Sequence, residues 1–305
     1  VANSNRQQPG LKCEEAPIDA YVLVDWYRAN ARELPWRAAD TTPWGTLVSE
    51  VMLQQTPVAR AVPVWEQWMS RWSRPSDLAA ETQGEAVRAW GKLGYPRRAM
   101  RLHECATAIA NSHSDVVPSD VDVLLSLPGI GAYTARAVAC FAYGQRVPVV
   151  DTNVRRVIAR ATAADDSART VSPADFRAAE ALLPPEQETA AVFSAAVMEL
   201  GATICTARNP VCGACPIVDC AWVAAGRPAG DGPVRTQPYA GTDRQVRGLL
   251  LDVLRDSSGP VERVALDIVW PRDPGQRQRA LDSLLLDGLI EQTDSGLFAL
   301  AGEAG

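Results

Sequence analysis

A chain of 305 residues that is 47% hydrophobic and 22% charged can bury a sizeable core and divide into two domains with a smaller third. Its formal net charge of −6 excludes nucleic-acid binding driven by global charge, so any such role has to rest on local clusters. No run approaches the roughly 18 uninterrupted apolar residues of a membrane span, and the polar opening lacks the basic start and apolar run of an export signal, so a cytoplasmic protein is expected.

Apolar residues recur at three- and four-residue intervals over 18–28, 43–55, 64–72, 86–90 and 98–110, separated by Pro, Gly and Ser clusters. This pattern predicts a mainly all-α protein, and strand-like alternation is nearly absent before residue 225. Two stretches concentrate positive charge: Arg88, Lys92, Arg97, Arg98 and Arg101 with no acid between them, then Arg136, Arg146, Arg155, Arg156 and Arg160 with the single acid Asp151. Each is either a local patch for nucleic acid or a set of solvated side chains.

Leu127-Pro128-Gly129-Ile130-Gly131 lies between helices expected at 122–127 and 132–143. Two glycines one residue apart allow close backbone approach, and the helix that opens after them presents unpaired N–H groups with partial positive charge. The turn is thus an anion site fit for a DNA phosphate, or a plain helix–helix connection.

Seven cysteines in a chain without an export signal argue against a disulfide framework. Cys13, Cys105 and Cys140 are scattered and read as small buried residues. Cys205, Cys212, Cys215 and Cys220 form C-x6-C-x2-C-x4-C, compact enough for four thiolates to close on a tetrahedral zinc or on the corners of a cubane. Spacing does not choose between the two.

Gly and Pro recur too densely over 226–242 for a regular element, which predicts a linker. Beyond it Val246, Leu249, Leu250, Val253 and Leu254 line one helix face, 277–286 gives another helix, and 289–300 reads as a hairpin around Asp294-Ser295-Gly296. That succession predicts a winged-helix-like α/β module, and a packing or dimerisation unit without DNA contact fits it equally.

The strings LPGIGAYTARAVA and VPVVDTNVRRVIAR, followed by the four-cysteine loop, resemble the endonuclease III superfamily. LPWR at 34–37, SEVMLQQTPV at 49–58 and LGYPRRAMRLH at 93–103 look like its MutY adenine glycosylase branch. The resemblance covers about residues 18–225 and implies a two-domain helix-hairpin-helix glycosylase fold. It places a discontinuous iron-sulfur domain at 1–30 and 146–225, a six-helix domain with the hairpin at 31–145, a linker at 226–242 and the small module at 243–305. The cysteines would hold a 4Fe-4S cluster. The implied activity is base excision repair: a monomer at the nucleoid flips adenine, mispaired with 8-oxoguanine or guanine, out of double-stranded DNA and hydrolyses its N-glycosidic bond with acid assistance.

Such a base leaves poorly unless protonated, and the sugar left behind is cation-like, so two carboxylates serve the reaction. The resemblance gives Glu50 the proton-donor role, Asp151 the stabilisation of the sugar cation and Asn153 the orientation of Asp151 or a water. Read alone, Glu50 fits a solvated helix residue and Asp151 a helix cap. Tyr133 would sit beside the carboxylates, or serve as a core tyrosine. Bifunctional relatives carry a Schiff-base lysine there, whereas the only lysines here are Lys12 and Lys92, which implies base removal without efficient strand cleavage. Trp36 and Arg37 would line the adenine pocket, with a core Trp36 as the competing reading. Gln55, Thr56, Gly94 and Tyr95 would contact or wedge the duplex, and Leu127, Gly129 and Gly131 would seat a phosphate.

Three features depart from the family pattern. The last cysteine interval is four residues rather than five, Pro96 stands where a second tyrosine is usual, and the β-rich NUDIX-like reader of 8-oxoguanine is not seen. Two rival functions remain: a thymine-guanine mismatch glycosylase, and a non-catalytic iron-sulfur redox sensor that binds DNA.

Overall fold

The computed structural model describes residues 18–230 and 239–304. Lys12, Cys13 and the linker positions 231–238 lie outside the described residues. The helices in chain order are α1 (Ala20–Asn30), α2 (Pro43–Met52), α3 (Val58–Arg71), α4 (Pro75–Ala79), α5 (Gln83–Trp90), α6 (Arg97–Ser112), α7 (Val121–Ser126) and α8 (Ala132–Tyr143). They continue with α9 (Thr152–Ala163), α10 (Pro173–Leu182), α11 (Gln187–Thr203), α12 (Ala221–Ala224), α13 (Asp243–Asp256), α14 (Arg263–Ile268) and α15 (Pro274–Leu286). Two strands, β1 (Ile290–Gln292) and β2 (Phe298–Leu300), follow. Among the described residues no helix is long and apolar enough to cross a membrane.

The chain forms two compact units: Val1–Ala31 with Arg146–Gly232, and Arg32–Gln145 with Pro233–Gly305. In the first, α1 and α9 pack on α11 around Leu23, Val157, Phe193 and Leu200. The second is organised around α2, in which every residue from Trp44 to Met52 is buried. Thr42 caps this helix by accepting from the Gly45 N–H, and Pro43 pre-sets its first turn. Trp68 meets Trp72 and Trp90 edge-on at 4.8 and 5.5 Å. The buried indoles are satisfied by backbone carbonyls: Trp44 donates to Trp72, Trp65 to Gly45 and Trp68 to Ala89.

Residues 32–145 hold seven α-helices rather than six. The extra one, α4, has five residues, too few to display a helical period in the sequence.

The tail follows the order helix, bridge, helix, helix, hairpin. β1 and β2 pair antiparallel with Ile290 opposite Leu300, and Val261 before α14 bridges to Phe298. The module is winged-helix-like, but by contact it belongs to the unit of residues 32–145 instead of standing apart. The reason is a close and polar seam. Gly84 in the first turn of α5 donates its N–H to Ala301 O at 2.7 Å, and a Cβ on Gly84 would meet Leu300 Cβ and Glu303 at 2.8 Å, so only glycine fits. Beside it Arg88 grips both oxygens of Glu303 at 2.6 and 2.7 Å.

This seam revises the reading of the first basic run. Arg88 pairs with Glu303, Lys92 with Asp252 and Arg97 with Asp287, all acids of the tail. Arg98 turns inward and Arg101 pairs with Glu104 on its own helix. A run that looks like a nucleic-acid patch is in large part the docking face for the tail.

Candidate active site and cysteine loop

The residues named from the sequence fall into two groups, one in each unit. In the unit of residues 32–145, Glu50 lies in the last turns of α2 and is only 6% exposed, which rules out the solvated-residue reading. A carboxyl group that deep needs a polar partner. Tyr133 from the first turn of α8 supplies one, its hydroxyl donating to Glu50 Oε2 at 2.8 Å. Gln54 adds a second tie between the same helices by donating to Thr134 Oγ1 at 3.3 Å. The start of α8, after the hairpin turn, is thereby fixed against the end of α2.

Within the turn, Gly129 adopts φ +75°, and a Cβ there would come within 2.7 Å of Arg101 Cβ. Gly131 behaves differently from expectation. Its φ of −97° suits any residue and a Cβ on it would meet nothing within 4 Å, so the space beside it is open to a ligand and not filled by protein. Leu127 is buried and anchors the turn from within.

Two further turns carry the expected duplex contacts. Gln55 has φ +56°, and Gly94 and Tyr95 have φ +84° and +49°. Tyr95 is 50% exposed. Pro96 directly precedes α6 with φ −62°, so in place of a second aromatic it sets the start of that helix. Thr56, by contrast, is buried, and its hydroxyl accepts from Arg98 Nη2 at 3.0 Å, so its side chain braces the turn from inside. Trp36 is buried edge-on against Trp65, and the neighbouring Arg37 is part-exposed.

Arg98 is the residue that sequence reasoning missed. Its Nη1 donates to Val51 O, Met52 O and Gln54 O, and its Nη2 to Thr56 Oγ1 and Gly94 O. One guanidinium therefore joins the open end of α2 to both of these turns. Burial pushes its pKa down to about 10, still charged at neutral pH. Arg98→Ala is expected to cost about 2–3 kcal/mol of stability, the scale of lost charge-assisted hydrogen bonds with their acceptors left buried. A urea midpoint equal to wild type would show that the bracing is dispensable.

In the other unit Asp151 caps α9, accepting from the Val154 N–H at 2.7 Å and from Asn153 Nδ2 at 2.9 Å. Burial raises the Asp151 pKa, and these two hydrogen bonds with the nearby Arg156 charge offset part of that rise. Arg156 donates to Asn153 Oδ1 at 2.8 Å, to Gly201 O at 2.7 Å and to Cys205 O at 2.8 Å. Asp151 is thus both a helix cap and the end of a hydrogen-bonded chain that begins at the cysteine loop.

All four cysteines of that loop line one cavity with Ile217 and Trp222. Arg160, a turn beyond Arg156, reaches the same loop: it stacks on Trp222 at 4.4 Å, pairs with Asp166 and donates to Cys205 Sγ at 3.4 Å. Burial pushes the Cys205 thiol up, while the Arg160 hydrogen bond and the Arg160 and Arg156 charges pull it back toward the thiolate that iron requires. Among the described residues no three Cys, His, Asp or Glu side chains converge as the ligands of one ion. Four cysteines that border one cavity can supply the corners of a cubane. The short last interval is absorbed because Cys220 is the N-terminal cap residue of α12 and still borders the cavity. Cys105 and Cys140 are buried as small core residues.

Comparison with known proteins adds names to this geometry. Residues 48–180 match the HhH-GPD superfamily of base excision DNA repair proteins, and residues 205–219 match the iron-sulfur binding domain of endonuclease III. The chain is 63% identical over 288 residues to the adenine DNA glycosylase of Mycolicibacterium smegmatis, covering 94% of this chain and 97% of that protein. It is 60% identical over 284 residues to the adenine DNA glycosylase of Mycobacterium tuberculosis, covering 92% and 93%. Among solved structures a thermostable thymine-DNA glycosylase superposes with TM-score 0.60 at 25% identity, covering 68% of this chain and 95% of that one. A non-covalent endonuclease III–DNA complex superposes with TM-score 0.57 at 22% identity over the same share of each chain, which supports the shared fold.

Proposed function

The chain belongs to the adenine DNA glycosylase family, and from that premise we propose that it flips adenine out of double-stranded DNA opposite 8-oxoguanine or guanine and hydrolyses its N-glycosidic bond. The observation that carries this reading is the buried Glu50 held by the Tyr133 hydroxyl, an arrangement that a redox sensor has no need of. It is also what the thymine-excising rival leaves unexplained.

In this reading Glu50 gives a proton to the adenine ring, the bond between sugar C1′ and the base nitrogen breaks, and the base leaves neutral with the bonding pair. Asp151 offers negative charge to the oxocarbenium-like sugar, and water completes the hydrolysis. Asn153 and Arg156 hold Asp151 in place. Arg37 and the edge of Trp36 line the base pocket, Gln55 and Tyr95 occupy the vacated stack, and the open space beside Gly131 takes a phosphate on the N–H groups of α8. Tyr133 offers no amine for a Schiff base, so the strand is left intact. Cys205, Cys212, Cys215 and Cys220, which border one cavity, would hold the 4Fe-4S cluster, and the bound cluster would tie the loop together. The enzyme acts as a cytoplasmic monomer.

Single-turnover assays on duplexes with adenine opposite 8-oxoguanine, guanine or cytosine, and with thymine opposite guanine, test the reading. Adenine is expected to be released from all three of its pairs at measurable rates, leaving uncut abasic strands. Release from the 8-oxoguanine pair alone would refute the relaxed discrimination. Release of thymine without adenine would replace the substrate.

A further inference from the structure

The tail holds seven arginines against eleven acids from Asp243 to Glu303, so its own charge opposes contact with DNA. Five of these acids pair with Arg88, Lys92 and Arg97 at the seam or with the tail's own arginines: Arg247 pairs with Asp287, Arg255 with Asp252, Arg263 and Arg277 with Asp267, and Arg279 with Asp243. Among the tail's described arginines, Arg244 and Arg272 form no ion pair with an acid. Arg272 lies in the connection between α14 and α15. Arg244 is exposed at the start of α13, and its guanidinium lies 5.9 Å from the centre of the Tyr95 ring.

Tyr95 is the exposed aromatic of a turn in a left-handed conformation, with the preceding Gly94 carbonyl fixed by Trp90 Nε1 at 3.0 Å and by Arg98. The second cation near that ring, Arg98 at 5.7 Å, is committed to backbone carbonyls. Stacking on an aromatic face leaves the in-plane N–H donors of Arg244 available, in the fork geometry that suits a phosphate.

We propose that Arg244 is the tail's contact with DNA, a clamp on a backbone phosphate beside the base step that Tyr95 enters. The docked tail pairs three cations around α5 and α6 with its acids and presents one, Arg244, at the turn. This rests on the reading of the chain as a DNA glycosylase whose Tyr95 turn meets the duplex. The contact is to backbone phosphate, so it adds affinity without choosing the base opposite adenine.

Full-length wild type, Arg244→Ala, Arg244→Lys and Arg272→Ala are compared for equilibrium binding to one adenine·guanine duplex across a salt series, with base release by wild type read on the same duplex. Arg244→Ala is expected to weaken binding severalfold and to reduce the slope of log K against log salt by about 0.9, one released counterion fewer. Arg244→Lys should recover most of the slope and Arg272→Ala should keep all of it. Wild-type affinity and slope in Arg244→Ala overturn the proposal, as does an equal slope change in Arg272→Ala, which would mark a diffuse charge effect. Weaker binding at unchanged slope with a lowered Tm also overturns it, because the arginine would then be a structural support for Tyr95. Absence of base release by wild type would count against the glycosylase reading and leave the slope comparison intact as the test of Arg244.

Discussion

Glu50→Gln is expected to slow base release by about 10²- to 10⁴-fold, the usual contribution of a positioned general acid, with little change in duplex affinity. The amide matches the carboxyl in volume, and its oxygen can still accept the Tyr133 hydroxyl that now bonds Glu50 at 2.8 Å, so the 6% exposed position remains satisfied. What is lost is the transferable proton. Single-turnover base release measured beside equilibrium binding separates the two effects. A variant that binds and releases adenine at the wild-type rate would remove Glu50 from the chemistry.

Asp151→Asn carries the second large effect, a loss of about 10²- to 10³-fold, the scale of one preorganised electrostatic contact to developing charge. Asparagine caps helices as well as aspartate, so α9 should keep its start through the Val154 N–H. The pH dependence follows from burial, the main cause of the raised Asp151 pKa. A carboxyl group whose folded-state pKa lies above the unfolded value stabilises the fold fully only below the unfolded pKa. That contribution is lost as pH rises through the folded value. At neutral pH the variant should therefore melt no lower than wild type, and any advantage it has should vanish as acid neutralises Asp151. Over the same window wild-type activity should fall at a pH above the ordinary carboxyl value of 3.8. A rate that is flat through this window would show that the charge of Asp151 is not used.

Local pattern exposed much of this molecule to a sequence reading. The cysteine spacing defines a loop whose four sulfurs do border one cavity, and the helix from Ala132 to Tyr143 has the limits expected of it. The failures are non-local. Arg98 sits in an arginine run that reads as solvent-facing, and its inward turn depends on carbonyls of Val51, Met52 and Gln54, more than 40 residues back along the chain. Arg88 finds Glu303 at a separation of 215 residues, and no periodicity connects them. Thr56 was expected to face DNA because of the string around it, yet the turn's left-handed Gln55 and the Arg98 hydrogen bond rotate its hydroxyl inward. Gly131 shows the reverse case, a glycine that neither backbone angle nor protein packing demands.

The placement of the indoles has an optical consequence. Of nine tryptophans, Trp36, Trp44, Trp65, Trp68, Trp72 and Trp90 lie within residues 32–145, while Trp26 and Trp222 belong to the other unit and Trp270 to the tail. Intrinsic emission is thereby weighted toward the unit built on α2, and a melt followed by fluorescence would register its collapse while underreporting the unit that carries the cysteine loop. Trp222, bordering the cysteine cavity beneath Arg160, is placed to report on that loop.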